Sequence, residues 1–102
     1  MSDRLDPKQR TRQLLAAALD LAATAGWAGL THAGVASRAG VSNGLVVARL
    51  GTMSEMRRSV MRAAVAQRVV RVVAEGLAAG DRHARRADEA LRVACGERVR
   101  TA

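Results

Sequence analysis

The chain reads as all-α on three observations: helix-start signals recur along it, apolar residues follow each one at helical spacing, and glycines close the resulting segments. The expected order is a three-helix unit, a long fourth helix and a short C-terminal helix. Residues 1–52 form the first unit and residues 53–102 a helical extension that is a possible dimerisation element. At 102 residues the whole is one small domain with a modest core.

The first start signal is Asp6-Pro7-Lys8-Gln9: an Asp cap, a proline at the first helical position and a glutamine placed for a capping box. Leu14, Leu15, Ala18, Leu21 and Ala22 then recur on one face up to a stop at Gly26. Trp27 and Leu30 are expected to fold back onto that helix as a core plug. Thr31 caps a second helix carrying Val35, Ala36 and Ala39; Gly40-Val41-Ser42 makes a sharp turn, and Ser42 starts a third helix through Leu50. Gly51-Thr52-Met53-Ser54-Glu55 is a break followed by a second capping box. The fourth helix is expected from Met53 to about Ala79, on the order of 40 Å long. Met56, Val60, Ala64, Val65, Val69, Val72 and Val73 give it a broad apolar stripe, and Arg71 and Glu75 are placed as an i,i+4 pair. After Gly80-Asp81, a last helix from about Arg85 to Cys95 would use Ala87, Leu91 and Ala94, with a frayed tail past Gly96.

Composition narrows the function classes. The net charge of +8 favours an acidic polymer as partner. Its distribution says more: between Leu21 and Ala74 the only acid is Glu55, against seven arginines at 38, 49, 57, 58, 62, 68 and 71. Trp27 is the only aromatic residue, which argues against single-strand binding by base stacking. One cysteine, Cys95, and two histidines, His32 and His83, leave no disulfide, no zinc cluster and no catalytic triad to assemble, so neither enzyme activity, metal nor cofactor is expected. No apolar run reaches membrane-spanning length and the polar start is unlike a secretion signal, so the expected location is the cytoplasm.

Two short helices meeting across Gly40-Val41-Ser42 have the form of a helix-turn-helix, whose second helix can enter the DNA major groove. Ala36 keeps the helix approach small, Gly40 accepts a positive φ, and Val41 links the helices. On these residues the expectation is a three-helix DNA-binding unit. Asn43 can pair with an adenine edge or serve as a cap, Gly44 allows close approach, Val47 can meet a thymine methyl or the core, and Arg49 can reach a phosphate or a guanine. Thr31, His32 and Ser42 offer hydroxyl, ring and amide donors, while Lys8, Arg10 and Arg12 are candidates for flanking phosphate contacts.

The sequence resembles the DNA-binding domain of TetR-type transcriptional regulators. The match begins at Arg12, Leu14-Leu15, Ala17-Ala18, Leu21 and Gly26, and continues through Thr31, Val35-Ala36, Ala39-Gly40-Val41-Ser42 and Gly44 to Glu55 and Met56. It covers about half the chain. The family's Leu-Tyr-x-His-Phe stretch and the following lysine are replaced here by Val46, Val47, Arg49, Leu50 and Met53. The resemblance implies a small sequence-specific regulator, most simply a repressor. The 50 residues after residue 52 are too few to form the family's usual ligand-binding domain, so neither that domain nor a small-molecule inducer is expected. Doubling of half-site contacts favours a homodimer, through helix four and the C-terminal helix. Alternatives are a protein-interaction factor that has lost DNA reading, or a small subunit of a phage DNA-processing machine.

Overall fold

The expected caps start the helices. In the computed structural model, which describes residues 6–96, Asp6 accepts from the Gln9 amide at 2.8 Å while Gln9 Oε1 accepts from the Asp6 amide at 3.1 Å. This reciprocal box opens α1 (Pro7–Ala25), and such a cap contributes about 1 kcal/mol. A 3-10 turn at Trp27–Gly29 follows. Then come α2 (His32–Ala39), capped by Thr31 on the Gly34 amide, and α3 (Asn43–Leu50), capped by Ser42 on the Leu45 amide. A second box between Thr52 and Glu55 opens α4 (Met53–Ala66).

One core runs through the described residues. Leu14, Ala18 and Ala22 of α1 are fully buried, Leu30 and Val35 meet them, and Val46 and Leu50 bring in α3. Met56, Val60, Met61 and Ala64 extend the same cluster through α4, and Val72, Val73 and Leu91 complete it. The cluster is therefore continuous across residues 52 and 53. Trp27 is 8% exposed and Leu30 is buried, as the plug expectation requires. Val41 and Ala39 are half-buried at the edge of the core.

The long fourth helix is the main correction. The chain breaks after Ala66 and resumes as α5 (Val70–Ala78). Arg68 lies at φ 55°, the left-handed region, where a side chain usually costs roughly 1–2 kcal/mol. Two turn bonds hold it there: the Arg68 amide donates to the Val65 carbonyl (3.2 Å) and the Val69 amide to the Ala64 carbonyl (2.8 Å). These are the paired bonds of a Schellman end, made here without glycine. The Arg68 guanidinium reaches Asp88 at 2.8 Å, and Asp88 caps α6 (Glu89–Ala94) through the Leu91 amide. The bend folds the valines back: Met56, Val60, Ala64, Val72 and Val73 are fully buried inside the single chain, so they form its core rather than an outer face. Gly76 eases the return, since a Cβ there would displace the Met61 side-chain end and press on Ala84 Cβ at 3.1 Å.

The last helix is also shorter than expected. Residues 84–86 form a 3-10 turn begun by Asp81, and the helix proper starts only at Glu89. Ala87 and Leu91 are buried, whereas Ala94 faces out. The expectation for the tail past Gly96 lies outside the described residues. Among the described residues no helix is long and apolar enough to cross a membrane.

Candidate nucleic-acid interface

The turn between α2 and α3 is built by Gly40 at φ 69°, ψ 36°. Its left-handed backbone lets the Val41 amide donate to the Ala36 carbonyl at 3.0 Å, closing α2 and setting the chain into the Ser42 cap. Val46 and Leu50 anchor α3 by burial. Asn43, Gly44, Val47, Ala48 and Arg49 are exposed around the rest of α3, with Gly44 and Ala48 opposite the anchors and Asn43 and Arg49 flanking them. Because Ser42 takes the cap, the Asn43 side chain is released from that role. Val47 is 45% exposed, which removes the core alternative for it. Arg49 enters no ion pair among the described residues.

Gly44 is informative by what does not surround it. A Cβ built there would meet nothing within 4 Å. A helical glycine costs about 0.5–1 kcal/mol against alanine, so its own chain gives it no return. Gly34 differs: a Cβ there would come within 2.7 Å of Leu21, so its absence permits the α1–α2 approach.

The α2 start is less free than the sequence suggests. His32 is half-buried and its Nε2 lies 2.8 Å from the Gly51 carbonyl, so that nitrogen donates across the α3–α4 turn. Thr31 is exposed but its oxygen already accepts from Gly34. Both residues brace the ends of α2 and α3, and an external anion would meet chiefly the Thr31 hydroxyl proton and the first amides of α2. On α1, Lys8 and Arg12 flank a shallow depression with Pro7 and Thr11, while Arg10 donates to Gln13 at 2.7 Å. No hydrogen bond or ion pair among the described residues ties these three to α3.

The arginine-rich stretch divides into two groups. Arg38 is bonded to Asp20 and to Thr24 Oγ1 (2.9 Å), pinning α2 on α1. Arg68 holds Asp88, and Arg71 donates to the Ala23 carbonyl at 2.7 Å, supplying the cation that the last turn of α1 lacks. Glu75, 4.0 Å from Arg71, accepts from the Trp27 amide at 3.2 Å, so the expected i,i+4 pair also clamps the α1 end. Arg49, Arg57, Arg58 and Arg62 form no ion pair among the described residues. Arg57 stacks its guanidinium 5.9 Å from the centre of the Trp27 ring.

A second cationic feature was not singled out from sequence. Arg57, Arg58 and Arg62 line a cleft of about 500 Å³ together with Arg82, His83 and Arg86. Burial and the Arg62 charge hold His83 below the ordinary histidine range. The i,i+4 spacing of Arg58 and Arg62 was visible in the sequence. Their meeting with residues 82–86 depends on the bend at Arg68, which was not.

No family model matches the chain, and no curated protein or solved structure matches it either.

Proposed function

We propose that α2, the Gly40–Ser42 turn and α3 act as a helix-turn-helix of TetR type, with α3 entering the major groove of duplex DNA. The protein would be a sequence-specific transcriptional regulator, most simply a repressor that occludes a promoter. The observation that carries this is the set of exposed residues on α3. Asn43, Gly44, Val47 and Arg49 are presented on a helix fixed by two buried anchors and a cap, and Gly44 is kept where its own chain does not need it.

In this reading Asn43 pairs with an adenine edge, Arg49 binds guanine or a nearby phosphate, and Val47 rests on a thymine methyl. Gly44 lets the helix backbone lie close to the duplex. Ser42, Thr31 and the amides at the start of α2 hold phosphates, and Lys8, Arg10 and Arg12 add flanking charge. His32 acts indirectly, fixing α2 to the start of α4 through the Gly51 carbonyl. A homodimer would double this footprint. Because Val60, Val72 and Val73 are buried, its contact falls to the touching helices α5 and α6, where Val70 and Val93 are 40% and 48% exposed.

Selection of bound sequences from a randomised duplex pool, using the full chain, tests the proposal. Recovery of a palindromic consensus supports a dimeric reader. Recovery of no consensus at any salt concentration rejects groove reading and leaves protein partners as the function to pursue.

A further inference from the structure

We infer that the cleft between α4 and the 81–86 connector is a binding site for a compact phosphorylated small molecule carrying two or more phosphate groups. Arg57, Arg58 and Arg62 line it from α4, Arg57 with its guanidinium over the Trp27 ring, and Arg82 and Arg86 line it from the connector. None of these five guanidiniums forms an ion pair among the described residues. Like charges at i,i+4, as at Arg58 and Arg62, oppose each other within a helix. Drawing the connector's arginines to the same place adds to that repulsion, and a bound polyanion would relieve it.

The cleft has one carboxylate, and it is engaged elsewhere. Asp81 Oδ1 accepts from the amides of His83 (2.8 Å) and Ala84 (2.9 Å), which turns the connector rather than neutralising an arginine. Arg57 Nε is buried with no hydrogen-bond partner among the described residues. Burial, then the Arg62 charge and more weakly those of Arg86 and Arg58, hold His83 below its ordinary pKa, while Asp81 opposes them.

Shape and lining define the ligand class. At about 500 Å³ the cleft falls within the range of small-molecule sites. The lining is polar throughout, from Ser54 to Arg86, with no apolar side chain to hold a hydrophobic body. Planar guanidiniums match phosphate oxygens two at a time, and several converging on one concavity suit clustered phosphates better than a single monoanion. A duplex backbone would instead need its cations spread along a ridge. None of Asn43, Gly44, Val47 or Arg49 lines the cleft, so the site is separate from the proposed groove-reading face.

Inorganic tripolyphosphate is the first probe, titrated calorimetrically into the full chain at about 150 mM salt, where long-range attraction is screened. Inorganic phosphate and sulfate serve as comparisons. The expected result is binding of tripolyphosphate at least about tenfold tighter than of either monomeric anion. Arg62→Gln or Arg82→Gln should each weaken it about tenfold or more, and Arg49→Gln should leave it unchanged. The two variants lie on different elements, so misfolding of one, checked by thermal unfolding, leaves the other informative. The His83 ring, followed by NMR, should titrate at higher pH in the bound form. Equal, salt-erased binding of all three anions would overturn the proposal. So would loss of tripolyphosphate binding to the same extent in Arg49→Gln, or loss of duplex binding in Arg62→Gln equal to that in Arg49→Gln, since either result makes the cleft part of the DNA footprint.

Discussion

At Gly44 the demands of folding and those of the proposed DNA contact differ. Nothing lies within 4 Å of a Cβ added at Gly44, so Gly44→Ala should stabilise the chain by about 0.5–1 kcal/mol. The same methyl would push α3 away from a duplex, so DNA affinity should fall while the melting temperature rises; parallel thermal and binding titrations read both. A drop in both quantities would mean that the glycine serves the fold. Several residue roles were legible beforehand. The caps at Asp6, Thr31, Ser42 and Thr52 need only local side-chain and backbone geometry, and all four are made. The engagement of His32 with Gly51 was not legible, because it joins residues nineteen apart that no local rule pairs.

At the level of elements, the bend at Arg68 decides the architecture. It converts a presumed rod into two helices that fold α5 against α4 and bring residues 82–86 beside Arg58 and Arg62. No glycine or proline marks it, so the helical spacing of the valines reads straight through it. The spacing specifies helix on both sides of the bend but not that there are two helices. The two turn bonds at Arg68 and Val69 make the bend, and the burial of Val72 and Val73 and the exposed Arg68–Asp88 pair support it. Arg68→Ala should therefore destabilise, since it loses the pair and keeps the left-handed backbone. Arg68→Gly should be more stable than Arg68→Ala by about 1 kcal/mol, because glycine adopts that φ freely; chemical denaturation of the two variants measures the difference. Gly76→Val tests the other side of the return. Its added atoms would crowd Met61 and Ala84, and a loss of about 1–3 kcal/mol is expected.

For the whole molecule, charge sets the pH response. Asp88 is held below its ordinary pKa by Arg68 and the Leu91 amide, and Glu55 by the Thr52 amide and hydroxyl. A carboxylate depressed on folding stabilises above its unfolded pKa, and that contribution disappears as pH falls through the folded value. His83, depressed by burial and by Arg62, has the same sign in a higher window. Its contribution is complete above the ordinary histidine pKa and declines as the pH drops below it. Stability should thus decrease in two stages on acidification, first between neutral and mildly acidic pH and then below the ordinary carboxylate range. His83→Gln should remove the first stage and Asp88→Asn should reduce the second, as thermal unfolding across pH would show. Overall cationic character was legible from composition, but its division was not. Arg38, Arg68 and Arg71 hold helices together, whereas Arg49 remains on the α3 face and Arg57, Arg58 and Arg62 enter the cleft.

The role proposed for α3 is to read DNA sequence. Fluorescence-anisotropy titration of the full chain and of Asn43→Ala, against the selected duplex and a scrambled one, tests it most directly. The wild-type chain should prefer the selected duplex by about 10³-fold or more at physiological salt. Asn43→Ala should lose about 1–3 kcal/mol of that preference while binding the scrambled duplex unchanged. Equal affinity of the wild-type chain for both duplexes, unaltered in Asn43→Ala and abolished by salt, would contradict the account.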